Sequence, residues 1–170
     1  MKEKNSKVFL VITVVLIAVI CVLSVCLITV ISSKSDNGTA YDSENYVEFN
    51  VGGDIAVPTP YCELHFPAEY SENLKVAEDK DGKIHKFIFI AQFENRASEL
   101  FTISFGDYEQ EKIGEIQAIG GGVPVSVVWS ETDVKDELTV NSLNVYYAMQ
   151  ESVNYLIERL GSEPNFIPAA

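Results

Sequence analysis

The chain is poor in the residues that carry most catalysis and metal chemistry. Its 170 residues include three cysteines, two histidines and one tryptophan. Cys21 and Cys26 fall inside a long apolar run and read as small apolar residues in lipid. Cys62 is the sole cysteine beyond that run, so no intrachain disulfide staples the remainder. A zinc site needs three or four ligands. Cys62 and His65 stand three apart, which in a strand sets them on opposite faces, and the only other histidine is His85. Cys62 therefore reads as a small buried residue, with a disulfide to a second chain as the alternative. The facing argument also sets aside a Cys–His nucleophile pair unless His85 approaches from a neighbouring strand. G-x-S-x-G, H-E-x-x-H, S-x-x-K and the phosphate-cradling G-x-x-x-x-G-K-S/T are all missing. The expectation is a protein that is not an enzyme, with no catalytic residue, cofactor or metal ligand to assign.

Basic residues are scarce as well. Beyond Ile31, nine Lys/Arg face 24 Asp/Glu, a net charge of −15. Nucleic-acid binding rests on neutralising phosphates, and anionic headgroups attract basic segments, so both partners are excluded. Cationic partners or divalent ions remain compatible, as does plain solubility. Asp79-Lys80-Asp81-Gly82 resembles a fragment of an EF-hand loop. With Gly82 at loop position six, however, Ala77 stands at position one and Ile88 at twelve, so the ligand set fails and the segment is a turn. Glu131, Asp133, Asp136 and Glu137 form an acidic loop that suits either weak Ca²⁺ binding or simple solvation.

What stands out in length is an apolar run, Val8 to Ile31, of 24 residues without charge, Gly or Pro. As a helix it reaches roughly 36 Å, enough for a bilayer core of about 30 Å with some tilt. It is too long for a signal-peptide h-region of about 7–15 residues. Neither Cys21 after Ile20 nor Cys26 after Val25 meets the lipoprotein requirement for a small preceding residue. The expected state is an uncleaved signal anchor, with cleavage after Ile31 at Ser32-Ser33 as the alternative. Lys2, Lys4 and Lys7 precede the run against Glu3 alone, whereas Asp36, Asp42, Glu44 and Glu48 follow it with Lys34. The positive-inside rule then places residues 1–7 in the cytoplasm, 8–31 in the lipid bilayer of the cell membrane and the rest outside. The run has no ionisable group for a proton relay and no G-x-x-x-G for helix pairing.

Residues 32–45 are small, polar and turn-rich and read as a flexible stalk; their Asn37-Gly38-Thr39 sequon has meaning only in a eukaryote. Residues 46–161 form a domain of ordinary size. Tyr46–Val51 alternates in hydropathy, and Pro58 and Pro60 interrupt the next strand pattern, making it an edge or a bend. A short turn of helix starts near Pro67. Leu74–Glu78 and Lys83–Phe93 make a hairpin about Asp79–Gly82, and Phe87–Ala91, apolar on both faces, reads as a covered central strand. Leu100–Phe105 alternates cleanly, and Lys112–Ala118 and Val123–Trp129 flank Gly120–Gly122. A helix from an N-cap at Asn141 to Leu160 carries Tyr146, Met149, Val153, Leu156, Ile157 and Leu160 on one stripe, with Gly161 as C-cap. Residues 162–170 read as a disordered tail. The fold class is α+β: an antiparallel sheet packed against a C-terminal amphipathic helix.

Tyr61-Cys-Glu-Leu-His-Phe-Pro67, the aromatic strand after it, Leu100–Phe105 and the closing helix together resemble the Mog1/PsbP-like sandwich pattern over some 100 residues. That resemblance implies a sheet packed on helices and adaptor or accessory roles, with no shared catalytic motif. The chain is also similar to membrane-anchored extracytoplasmic proteins of Gram-positive bacteria, which implies a habitat in the cell envelope. Tyr147 and Tyr155 lie off the apolar stripe beside Glu151 and Arg159, and tyrosine and arginine are enriched at interface hot spots. Tyr147, Tyr155 and Arg159 are thus the candidate interaction surface, packing against a neighbouring loop being the competing reading. The functional expectation is a non-catalytic extracytoplasmic interaction or accessory domain with a protein partner in the envelope. The alternative is an extracytoplasmic sensor that binds a cation or small molecule.

Overall fold

Proline and glycine place most of the chain reversals. Thr59-Pro60-Tyr61-Cys62 is a β-turn with Pro60 at its second position, where a fixed φ suits the bend. Thr59 locks it: its Oγ1 accepts from the Cys62 amide at 3.0 Å and the Tyr61 amide at 3.2 Å and donates to the Cys62 carbonyl at 2.6 Å. The prolines therefore reverse the chain rather than bend one strand, giving a hairpin of β2 (Asp54–Pro58) and β3 (Glu63–Pro67). β1 (Asn50–Val51) pairs with β2 on its other side. Only two residues of the alternating Tyr46–Val51 stretch enter that ladder; Tyr46 instead bridges to Ala77.

The computed structural model describes residues 45–169 apart from 94–95, 107–109, 132–133 and 135–137. The Val8–Ile31 run and the stalk up to residue 44 lie outside them, as do Asp133, Asp136 and Glu137 of the acidic loop. Among the described residues no helix is long and apolar enough to cross a membrane. The described residues belong to one unit, Tyr41–Ala170.

A 3-10 turn at Ala68–Tyr70 follows Pro67. The second sheet then has six strands: β4 (Leu74–Asp81), β5 (Ile84–Phe93), β6 (Arg96–Phe105), β7 (Glu111–Ala118), β8 (Gly121–Trp129) and β9 (Phe166–Pro168), in the order β4-β5-β6-β8-β7-β9. Every ladder is antiparallel. Gly82, at φ +60°, makes the turn between β4 and β5 in the left-handed region that suits glycine. As its double-sided pattern demands, β5 is buried on both faces. Phe87, Phe89, Ala91 and Phe93 enter the main core, and Ile88 and Ile90 join Ala77 and Tyr46 in a small second cluster.

The fold is thus α+β and antiparallel, with two sheets where one was expected. The separate three-stranded sheet arises at the Pro58–Pro60 reversal. Its inward residues Ile55, Val57, Leu64 and Phe66 join the same core as Phe89 and Phe101 of the larger sheet; the Phe66 ring lies 5.7 Å from Phe89 and 6.2 Å from Phe101.

The C-terminal helix completes that core. It runs as α1 (Val140–Glu151) and α2 (Val153–Gly161), interrupted at Ser152, whose Oγ donates to the Ala148 carbonyl at 2.9 Å, a bond that competes with the helical ladder. Thr139, not Asn141, is the N-cap, its Oγ1 accepting from the Ser142 amide at 3.3 Å. The helix includes Gly161 and is capped by Ser162. Tyr146, Met149, Val153, Leu156 and Leu160 are buried as the stripe requires. Tyr146 donates to the Glu99 carbonyl at 2.7 Å, tying α1 to β6.

Part of the expected tail is ordered structure. Phe166–Pro168 pairs with Gly114–Ile116 of β7, and Phe166 is buried. Its ring lies over Gly114, where a Cβ would sit 2.6 Å from the Ile167 carbonyl oxygen as well as against the ring. The strand adds there because β7 offers both a free ladder edge and a side-chain-free position for an aromatic ring.

Candidate functional site

The inward alternation of β2 and β3 fixes what those strands present on the other side. With Ile55, Val57, Leu64 and Phe66 in the core, Asp54, Ala56 and His65 face outward, and Ala56 is the register partner of His65. On α2 the stripe through Leu156 and Leu160 leaves Tyr155 and Arg159 to one side. The two elements meet at Asp54. Tyr155 donates its hydroxyl to Asp54 Oδ1 at 2.6 Å, and Arg159 Nη2 lies 3.1 Å from Asp54 Oδ2. The acceptor carboxylate holds the Tyr155 proton and raises that phenol above its ordinary pKa, aided by desolvation. Tyr155 remains a donor throughout the physiological range.

His65 stands beside this pair without joining it. Its Nδ1 is 3.6 Å from Asp54 Oδ2, beyond hydrogen-bond reach. That nitrogen is the only buried side-chain N or O among the described residues with no hydrogen-bond partner. An unsatisfied buried polar atom costs about 1–3 kcal/mol, so its retention asks for an explanation.

A cleft of about 400 Å³ opens here, lined by Asn50, Val51, Gly52, Gly53, Asp54, Ala56, His65 and Arg159. Gly52 and Gly53 have ordinary φ values, and a Cβ on either would meet nothing within 4 Å. Neither backbone strain nor crowding requires glycine at these two positions. Their bareness leaves backbone accessible along one wall.

Of the candidate interaction residues, Tyr155 and Arg159 come together at the cleft and Tyr147 does not. Tyr147 is 38% exposed and packs edge-on against Tyr146, 5.6 Å between centroids. Asp54 and His65 are the members sequence reasoning did not join to the set. Asp54 lies 101 residues from Tyr155, and no local pattern marks the pairing.

The remaining chemistry-bearing groups lie elsewhere. Cys62 is half-buried; its thiol is pushed up from 9.0 to about 11, chiefly by burial, against a lowering contribution from the Thr59 hydroxyl. It is thus a protonated, weakly nucleophilic thiol at neutral pH. His85 is buried with its ring perpendicular to that of Tyr61, 5.8 Å between centroids, and its Nδ1 lies 2.9 Å from Glu78 Oε1. Each histidine therefore has its own carboxylate neighbour. No group of three His, Cys, Asp or Glu suited to a metal ion occurs among the described residues. No protein-family model, curated protein or solved structure matches the chain significantly.

Proposed function

We propose that this chain is a single-pass membrane protein, N-terminus inside, that presents its α+β domain outside the cell as a non-catalytic interaction module of an envelope assembly. The observation that carries the reading is the arginine at the Asp54 cleft. Arg159 is oriented by a carboxylate that is itself held by Tyr155, yet its side chain remains 46% exposed. A guanidinium has five N–H donors in a fixed fork, and only part of that fork is engaged by Asp54. Pre-oriented, half-exposed arginine flanked by tyrosine is the composition of an interface anchor. The charge-free Val8–Ile31 run and the acidic composition support the membrane and extracytoplasmic parts of the reading.

The small-molecule form of the alternative, a ligand-binding sensor domain, draws support from the cleft volume, which lies within the range of ligand pockets. One experiment separates the two. The full-length protein is extracted in mild detergent, captured by affinity and examined by mass spectrometry for what travels with it. A stoichiometric companion that is lost with Val51→Asp at the cleft rim is the expected result. A protein that comes out alone sinks the interaction reading and leaves the ligand-binding one.

A further inference from the structure

The Asp54 cleft is lined by one carboxylate and one guanidinium. Asp54, the one carboxylate in its lining, already serves Tyr155 and Arg159. The lining also includes the rest of the Arg159 fork, His65 and Asn50. The unengaged part of the Arg159 fork calls for an acceptor from the ligand, and a guanidinium fits a planar two-oxygen group best. The chain Tyr155–Asp54–Arg159 fixes the arginine before any ligand arrives, which reduces the ordering cost of binding. The other lining residues, Val51, Ala56, Gly52 and Gly53, are small and mostly apolar. Val51 is 55% exposed at the rim. A cleft near the lower end of ligand-pocket volumes admits one small end group rather than a large body. The strongly acidic domain further disfavours a polyanion while tolerating a single carboxylate compensated by Arg159.

Resting on the reading of this face as the recognition surface, we infer that the cleft binds a carboxylate-ended ligand with a small apolar body. Arg159 grips the carboxylate, Asp54 and Tyr155 position the arginine, and Val51 and Ala56 seat the body. The ligand's source is either the C-terminal end of a peptide or a free short-chain acid.

The test is ligand-observed NMR on the full-length protein in micelles, with acetyl-alanyl-alanine, its C-terminal amide and propionate as probes. The expected result is that the peptide acid binds about tenfold or more tightly than its amide, a difference of about 1.4 kcal/mol. Arg159→Gln and Val51→Asp each remove that preference, and Arg159→Lys restores part of it. Val51→Asp changes an exposed side chain, so it keeps the test decisive should Arg159→Gln fail to fold. Binding of the peptide acid well above propionate names a peptide end, and equal binding of the two names a free acid. Acid and amide binding equally, or neither binding at millimolar concentration, overturns the proposal. That failure is distinct from failure of the interaction reading, in which the captured full-length protein comes out alone.

Discussion

Cys62 shows how a single residue's surroundings decide its chemistry. Its only external company in the sequence is a histidine three positions away, a spacing that invites thoughts of zinc or a nucleophile. In the fold its sulfur lies 3.8 Å from the Thr59 hydroxyl, in the turn that Thr59 organises, and burial raises its pKa to about 11. The thiolate is the reactive form, so alkylation by iodoacetamide at pH 8 is expected to be much slower than that of a free cysteine, rising only as the pH nears 11. Stability follows the same ionisation. The folded value lies above the ordinary 9.0, so the native state holds its proton more tightly than the unfolded chain. The associated stabilisation is complete below about pH 9 and is lost as the pH rises towards 11. Urea midpoints of the wild type and Cys62→Ala measured between pH 7 and 11 check this. A wild-type midpoint that runs parallel to the variant's across that window contradicts it.

At the scale of elements, β9 is a three-residue strand that completes the larger sheet. Phe166 fills the space over Gly114, and the backbone of residues 166–168 covers the edge of β7. Ending the chain after Gly161 uncovers both. Burial of one phenylalanine contributes about 1.5–3 kcal/mol, and an uncovered strand edge is a template for pairing with another chain. The shortened protein is therefore expected to unfold at lower urea and to self-associate at high concentration, read by denaturation and by light scattering. Unchanged values in both would mean that β9 is ornamental. The strand was hidden in the sequence for a physical reason. Phe166-Ile167-Pro168 is too short to show a period, and it is held by Gly114, some fifty residues earlier. Where a pattern was long, it was legible. Phe87 to Ile90 declared a strand buried on both faces, and the Tyr146-to-Leu160 stripe declared the helix. Pro58 and Pro60 were legible as a disturbance but not as a reversal, because the turn depends on Thr59 capping its own bend. The cleft was half legible. Helical position set Tyr155 and Arg159 apart from the stripe, whereas Asp54 and His65 joined them only once the β2–β3 hairpin had formed and packed beside α2.

For the molecule as a whole, the decisive asymmetry is between the two sides of the Val8–Ile31 run: three lysines before it, no charge within it and a net −15 beyond it. Translocating so acidic a segment is unopposed by the positive-inside rule, which counts Lys and Arg near the span and gives little weight to Asp and Glu. Retaining the N-terminus inside is favoured by Lys2, Lys4 and Lys7. The cleft's proposed role depends on this orientation, since a carboxylate-ended envelope ligand is available to Arg159 only if the domain stands outside. Single cysteines placed on either side of the Val8–Ile31 run in the Cys21→Ala, Cys26→Ala, Cys62→Ala protein make the orientation measurable on intact cells. An impermeant maleimide is expected to label a cysteine at Ser43 and to spare one at Ser6 until the membrane is opened. The opposite labelling pattern would put the domain inside the cell. It would also remove the envelope from the proposal while leaving the cleft and its arginine to be explained by a cytoplasmic ligand.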